Sequence, residues 1–110
     1  FIHASGEGAK IGLQLGHSGT KGSTQVGWET PDEPLTTGNW PLMAASSVAY
    51  GPTNQVPQAM TPEDMDRIKA QFVQSTRYAA MAGFDWLELH CADGYWLSSF
   101  LTPLTNQRTD

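Results

Sequence analysis

The sequence predicts an α/β chain: one strand–helix–strand unit taken from a larger parallel sheet. Three observations predict it. A short alternating stretch near the start, Ala9-Lys-Ile-Gly-Leu-Gln-Leu15, reads as a strand. A long helical period runs from Thr61 to Gly83. A second apolar run, Phe84-Asp-Trp-Leu-Glu-Leu-His90, follows after almost no loop and ends on an imidazole and a Gly-Tyr turn. Strands in this order are expected to be parallel and joined by a right-handed crossover. Parallel sheets need cover on both faces, and one helix covers only one. The 110 residues are therefore expected to form a single partial domain, an internal piece of a larger body that begins mid-element and stops at Asp110 without a natural end.

Each element has a local reason. In the first strand Ile11, Leu13 and Leu15 point one way, and Gly12 and Gln14 the other. From about His17 to Ala59 the chain is rich in Gly, Pro, Ser, Thr and Asn and keeps no sustained period. A connection this long is usually functional or disordered. Trp28, Trp40, Leu42, Met43 and Tyr50 argue against disorder, so an excursion packed on a larger body is expected, with a short hairpin in it. Thr61-Pro62-Glu63-Asp64 supplies an N-cap, a proline at the first helical position and acids in the first turn. Met65, Ile68, Phe72, Ser75, Ala79 and Ala82 make one helical face, and Gly83 stops the helix. Residues 62–82 would span ~31 Å at ~1.5 Å per residue. A short helical turn is expected over Ser98–Leu104, ended near Pro103.

Composition narrows the function classes. The net charge is −5 and no basic stripe exists, which argues against nucleic acid as a partner. No apolar run approaches the ~20 residues of a membrane span. The first residue is Phe1 rather than Met, so the lack of a visible leader carries little weight. The single Cys91 rules out an internal disulfide framework and fits a reducing, cytoplasmic setting.

The chemistry gathers at the strand ends. A parallel barrel packs its strand interiors and offers chemistry from the residues just past their C-terminal ends. Alternation places Trp86, Glu88 and His90 on one face and Leu87 and Leu89 on the other. Gln14 and His90 close their strands and are expected at the same rim. A carboxamide and an imidazole suit a planar heterocycle or a substrate carbonyl better than a metal. Equally, both can be satisfied polar groups at strand ends, and spacing alone leaves the two readings open. His90 and Asp93 lack a third or fourth ligand nearby, so no metal site is expected. Cys91 reads as a small packing residue rather than a nucleophile, and Glu88 as a hydrogen-bonding hub rather than a base. His17 can touch a cofactor or cap its own loop. Gly16 to Gly22 carries no dinucleotide fingerprint. Trp28 and Trp40 read as loop packing rather than a substrate lid.

Ile11-Gly-Leu-Gln14-Leu-Gly-His17-Ser-Gly-Thr-Lys21 resembles the third-strand motif of the old yellow enzyme family of flavin-dependent oxidoreductases. Pro57-Gln-Ala-Met-Thr61 through Phe72, and Ala79 to Phe84, resemble its next helix. His90-Cys-Ala-Asp93-Gly-Tyr95 and Phe100-Leu-Thr-Pro-Leu-Thr-Asn106-Gln-Arg-Thr-Asp110 resemble its fourth strand and following loop. The likeness covers nearly the whole chain and is weakest over residues 22–56. Within the family, Gly38-Asn-Trp-Pro41 and Leu89-His-Cys91 are similar to the reductase-like half of salicylyl-CoA or aminobenzoyl-CoA hydroxylases.

The resemblance implies a (β/α)8 TIM barrel with FMN at its C-terminal mouth, this chain being about strand 3, a long loop, helix 3, strand 4 and the loop after it. It implies hydride transfer from NAD(P)H through the flavin to an activated alkene or related acceptor. Gln14 matches the residue that binds the flavin pyrimidine edge, and Lys21 and His17 fall on the cofactor side. His90 matches the first of two donors to the substrate carbonyl, where an oxyanion develops. Tyr95 matches a tyrosine placed to supply a proton, although a phenol with pKa ~10 in water is a weak acid for that task. The implied partners are a small-molecule substrate, with an acyl-CoA thioester among the options, and the rest of the chain's own barrel; a homo-oligomer is compatible with it.

Asp93 departs from the pattern, because His or Asn is usual for the second donor and an ionised carboxylate cannot donate. Either Asp93 is protonated, or it turns outward, or the substrate differs. Thr20 stands where Arg is common. Two rivals stay open: a non-catalytic binding barrel that has lost turnover through Asp93, and an aldolase or isomerase barrel using Glu88 or Lys21 as base.

Overall fold

The computed structural model describes residues 1–110. Its elements in chain order are α1 (Ile2–Ser5), β1 (Gly12–Leu15), a 3₁₀ turn (Gly19–Lys21), β2 (Met43–Ala44), β3 (Gln58–Ala59), α2 (Pro62–Ala82), β4 (Trp86–Leu89) and α3 (Trp96–Ser99). They fall into two compact units. One holds Phe1–Leu15 and Pro62–His90, the other Gly16–Thr61 and Cys91–Asp110.

In the first unit β1 and β4 run parallel, with Gly12 opposite Trp86 and Leu15 opposite Leu89. The expected strand–helix–strand order is therefore present, with α2 as its crossover. α2 begins at Pro62, carries Glu63 and Asp64 in its first turn and buries Ile68 and Ala79. Its stop is chemical: Gly83 adopts φ 83°, a left-handed conformation that costs glycine little, and the Phe84 N–H returns to the Ala79 carbonyl at 3.1 Å. Leu13 and Leu15 line one groove with Ser75, Ala79 and Ala82 of α2. The opposite face of the strand pair holds Gly12, Gln14, Trp86 and Glu88. A side chain at Gly12 would run into the Trp86 indole, so this glycine makes room for the ring.

Both strands are shorter than the alternation predicts, and the N-terminal ends show why. The Ile11 N–H leaves the ladder for the Asp85 carboxylate at 2.8 Å, although the Asp85 N–H still reaches the Ile11 carbonyl at 2.8 Å. Asp85 also receives His3 Nε2 at 2.7 Å and Lys10 Nζ at 3.0 Å. The His3 bond first, then the Ile11 N–H and Lys10, hold the Asp85 carboxyl well below the usual carboxylate range.

The second unit turns the Gly/Pro-rich stretch into an ordered body. Thr24 bridges Pro34 in antiparallel sense, with the Leu35 N–H on the Ser23 carbonyl at 2.9 Å and the Gln25 N–H on Glu33 at 2.7 Å, which makes the short hairpin. β2 and β3 pair in parallel, Met43 with Gln58 and Ala44 with Ala59, a second small sheet the sequence did not announce. Leu42, Ala44, Ala45, Pro57, Met60 and Trp96 form the core. Trp96 packs edge-on to Phe100 at 5.3 Å, and its indole N–H points at the Met60 sulfur. Arg108 ties the body together: its guanidinium donates to the Ala45 and Met60 carbonyls at 3.1 and 2.5 Å and grips Asp110 at 2.9 and 2.6 Å. That pairing holds the Asp110 carboxyl low and raises Arg108.

The last helical turn sits at Trp96–Ser99, earlier than the expected Ser98–Leu104. Burial of Trp96 anchors its start. Pro103 has no N–H to offer the Ser99 carbonyl, and Thr105 Oγ1 and Asn106 Nδ2 donate instead to the carbonyls of Ser99 and Phe100, at 2.9 and 3.0 Å.

Candidate functional site

In the first unit the site is built on the C-terminal ends of β1 and β4. Gln14 Nε2 donates to Glu88 Oε1 at 2.9 Å, between residues paired in the ladder. An ionised carboxylate can only accept, so Glu88 fixes which end of the amide faces it. This leaves Gln14 one N–H and its carbonyl oxygen, a donor and an acceptor side by side on an exposed group. The His90 N–H bonds the Leu15 carbonyl at 2.8 Å, which carries the parallel pairing one step past Gln14. By alternation His90 follows Glu88 on the face that bears Gln14. Glu88 thus acts as a hydrogen-bonding partner of Gln14.

The other sequence-predicted residues lie in the second unit, where two loops are stitched together. The Trp96 N–H bonds the His17 carbonyl at 3.1 Å, and the rings of the two residues lie 5.5 Å apart. The Gly19 N–H donates to His17 Nδ1 at 3.0 Å, so the ring proton sits on Nε2 and the imidazole caps its own loop. Gly19, at φ 57°, lets the Trp96 backbone approach: an added Cβ would lie 2.8 Å from Trp96 N and Cα.

Asp93 and Gly94 both adopt left-handed backbone, φ 59° and 76°. Aspartate is one of the few side chains that visit this region readily. The Asp93 carbonyl accepts from Lys21 Nζ at 3.1 Å. The Gly94 N–H donates to Ser98 Oγ at 3.2 Å, and Thr20 Oγ1 donates to the Gly94 carbonyl at 3.4 Å. The Tyr95 N–H closes the turn on the Ala92 carbonyl at 3.2 Å. Thr20 is buried, and its hydroxyl serves this turn. Lys21 Nζ lies 4.6 Å from the ring centroids of both Tyr95 and Tyr50.

Gln14 and His90 are therefore brought together in one unit, and His17, Lys21, Asp93 and Tyr95 in the other. Sequence reasoning missed Tyr50, which it used only as an aromatic argument against disorder, and Arg108. No spacing rule links Tyr50 to Lys21; only Gly51-Pro52 beside it hinted at a fixed turn. Within this chain Cys91 is exposed and Trp28 is 85 % exposed. No three His, Cys, Asp or Glu side chains gather as metal ligands, and no helix is long and apolar enough to cross a membrane.

Comparison with known proteins gives this geometry its context. Residues 2–110 match the model of the NADH:flavin oxidoreductase / NADH oxidase family. The chain is 40% identical over 115 residues to an NADH:flavin oxidoreductase of Gibberella zeae, covering 100% of the chain and 27% of that relative. It is 36% identical to an NADPH dehydrogenase of Geobacillus thermodenitrificans, covering 94% of the chain and 26% of the relative. It is 34% identical to an NADPH dehydrogenase of Bacillus subtilis, covering 94% of the chain and 27% of the relative. The chain spans about a quarter of the length of these curated relatives. With its matching region running from the second residue to the last, the chain belongs to the NADH:flavin oxidoreductase / NADH oxidase family.

Proposed function

We propose that the full protein is an FMN-dependent oxidoreductase that takes hydride from NAD(P)H and passes it to an activated alkene or related acceptor. This chain supplies about strand 3, helix 3, strand 4 and the following loop of its (β/α)8 barrel, as one partial domain. The observation that carries the reading is the Gln14 amide, oriented by Glu88 at the end of the paired strands with His90 next in line. One remaining donor beside one acceptor complements the imide-like pyrimidine edge of a flavin, so the residues present fit the group. The bound flavin would supply the two-electron chemistry; the protein orients and polarises.

On this reading Gln14 holds the cofactor, and Lys21 and His17 shape the cofactor side through the loop they brace. His90 donates to the acceptor's carbonyl oxygen and stabilises the negative charge that grows there. Tyr95 delivers the proton. Asp93 spends its backbone on the turn, and its carboxylate favours an acceptor other than a simple enone. An acyl-CoA thioester fits that departure. The setting is the cytoplasm, and the barrel is compatible with a homo-oligomer.

The test uses the full-length protein. Flavin absorbance should accompany the purified protein, bleach on anaerobic addition of NADPH and return on addition of an α,β-unsaturated carbonyl compound. A colourless protein that gains no flavin on reconstitution would overturn the assignment. A flavoprotein that NADPH cannot bleach would support the non-catalytic rival.

A further inference from the structure

We propose that Tyr50 is a positioning residue of this site: its ring holds the Lys21 ammonium against Tyr95 and so fixes the turn that presents Tyr95 and Asp93. The inference deepens the function proposed above and rests on it. Three contacts carry it. Lys21 Nζ lies 4.6 Å from the Tyr50 centroid and 4.6 Å from the Tyr95 centroid, within the range where a cation is drawn to a ring face. The same ammonium donates to the Asp93 carbonyl at 3.1 Å, so one charge touches both ends of the Asp93–Tyr95 turn. The Tyr50 ring edge also approaches Gly94, at 3.6 Å from where a Cβ would stand, and so backs the left-handed residue at the middle of the turn.

A lysine stem has four rotatable bonds and gains from being free. Two ring faces and a carbonyl together confine it. Without Tyr50 the ammonium keeps one ring and can swing to water, and Tyr95 loses its counter-support. The hydroxyl of Tyr50 plays no part in this; the ring face does. Phenylalanine should therefore substitute for Tyr50 and leucine should not.

The test follows the two half-reactions of the full-length flavoprotein separately. Tyr50→Leu should slow reoxidation of the reduced flavin by an unsaturated acceptor about two- to fivefold, the span a cation–π contact at an exposed ring commands. Reduction by NADPH should stay unchanged, and Tyr50→Phe should restore reoxidation. Lys21→Met should slow reoxidation as well, and adding Tyr50→Leu to it should cost nothing more. A Tyr50→Leu variant that reoxidises at the wild-type rate, a Tyr50→Phe variant as slow as leucine, or additive losses would overturn the proposal. A second readout needs no turnover: the Lys21 ε-methylene protons should be shifted upfield by ring currents and move back toward the free-lysine position in Tyr50→Leu. An unshifted lysine in the wild-type protein would overturn the clamp even if the flavin reading holds. A shifted lysine in a protein that binds no flavin would sustain the clamp while the functional reading fails.

Discussion

Asp93 shows how one residue serves conformation and chemistry at once. Its left-handed backbone places its carbonyl on Lys21, and its carboxylate stands where the resemblance leads one to expect a neutral donor. The backbone demand selects the substitutions that will be tolerated. Asp93→Asn should leave thermal stability of the full-length protein nearly unchanged, because asparagine visits this region as readily. Asp93→Val should destabilise it by about 1–2 kcal/mol, read as a lower melting temperature, because a β-branched side chain pays the left-handed penalty. Asp93→His also fits the backbone and restores a donor. It should raise the rate of reduction of simple enones, and no gain with flavin still bound would count against the oxyanion-donor role. Gln14 and His90 were legible because they are polar interruptions at the ends of apolar runs. Tyr50 was not, because its partner is distant in sequence and no periodicity connects a loop tyrosine to a loop lysine.

The elements divide by how local their causes are. α2 was legible over its full Pro62–Ala82 length, since proline, early acids and the Gly83 stop are all written within it. The strand ends were not, because a tertiary bond decides them: Asp85 takes the Ile11 N–H. That staple makes a pH prediction. Asp85 has its carboxyl depressed in the folded chain, chiefly by His3, against about 3.9 when unfolded. Its contribution is therefore present above the unfolded value and is lost as pH falls below it toward the folded one. Urea midpoints of wild-type protein and Asp85→Asn should differ at neutral pH and converge below about pH 4. Parallel curves across that range would show that the carboxylate carries no pH-dependent stability. Between β1 and β2, the fixed point is Gly19. Gly19→Ala adds a methyl group 2.8 Å from the Trp96 backbone at a positive φ, so it should lower the melting temperature clearly more than Gly27→Ala, where nothing lies nearby.

At the scale of the whole molecule, the chain spans about a quarter of its relatives and leaves large apolar side chains uncovered, among them Met81 at 82 % and Leu104 at 79 % exposure. Exposed apolar surface of this kind seeks cover. The isolated 110-residue chain should therefore bind FMN far more weakly than the full-length protein, with equilibrium dialysis as the check. Tight one-to-one uptake by the chain alone would show that the cofactor site is complete within it. The fold class was legible because a strand, a helix and a strand in that order leave few arrangements. The small β2–β3 sheet was not, because two-residue strands carry no alternation to read.

The most direct measurement is the affinity of the full-length protein for FMN with and without the Gln14 amide, followed by quenching of flavin fluorescence. Loss of the amide's remaining donor and acceptor should weaken FMN binding by Gln14→Ala about tenfold. Equal affinity in the two proteins, or a wild-type protein that takes up no FMN, would contradict the account.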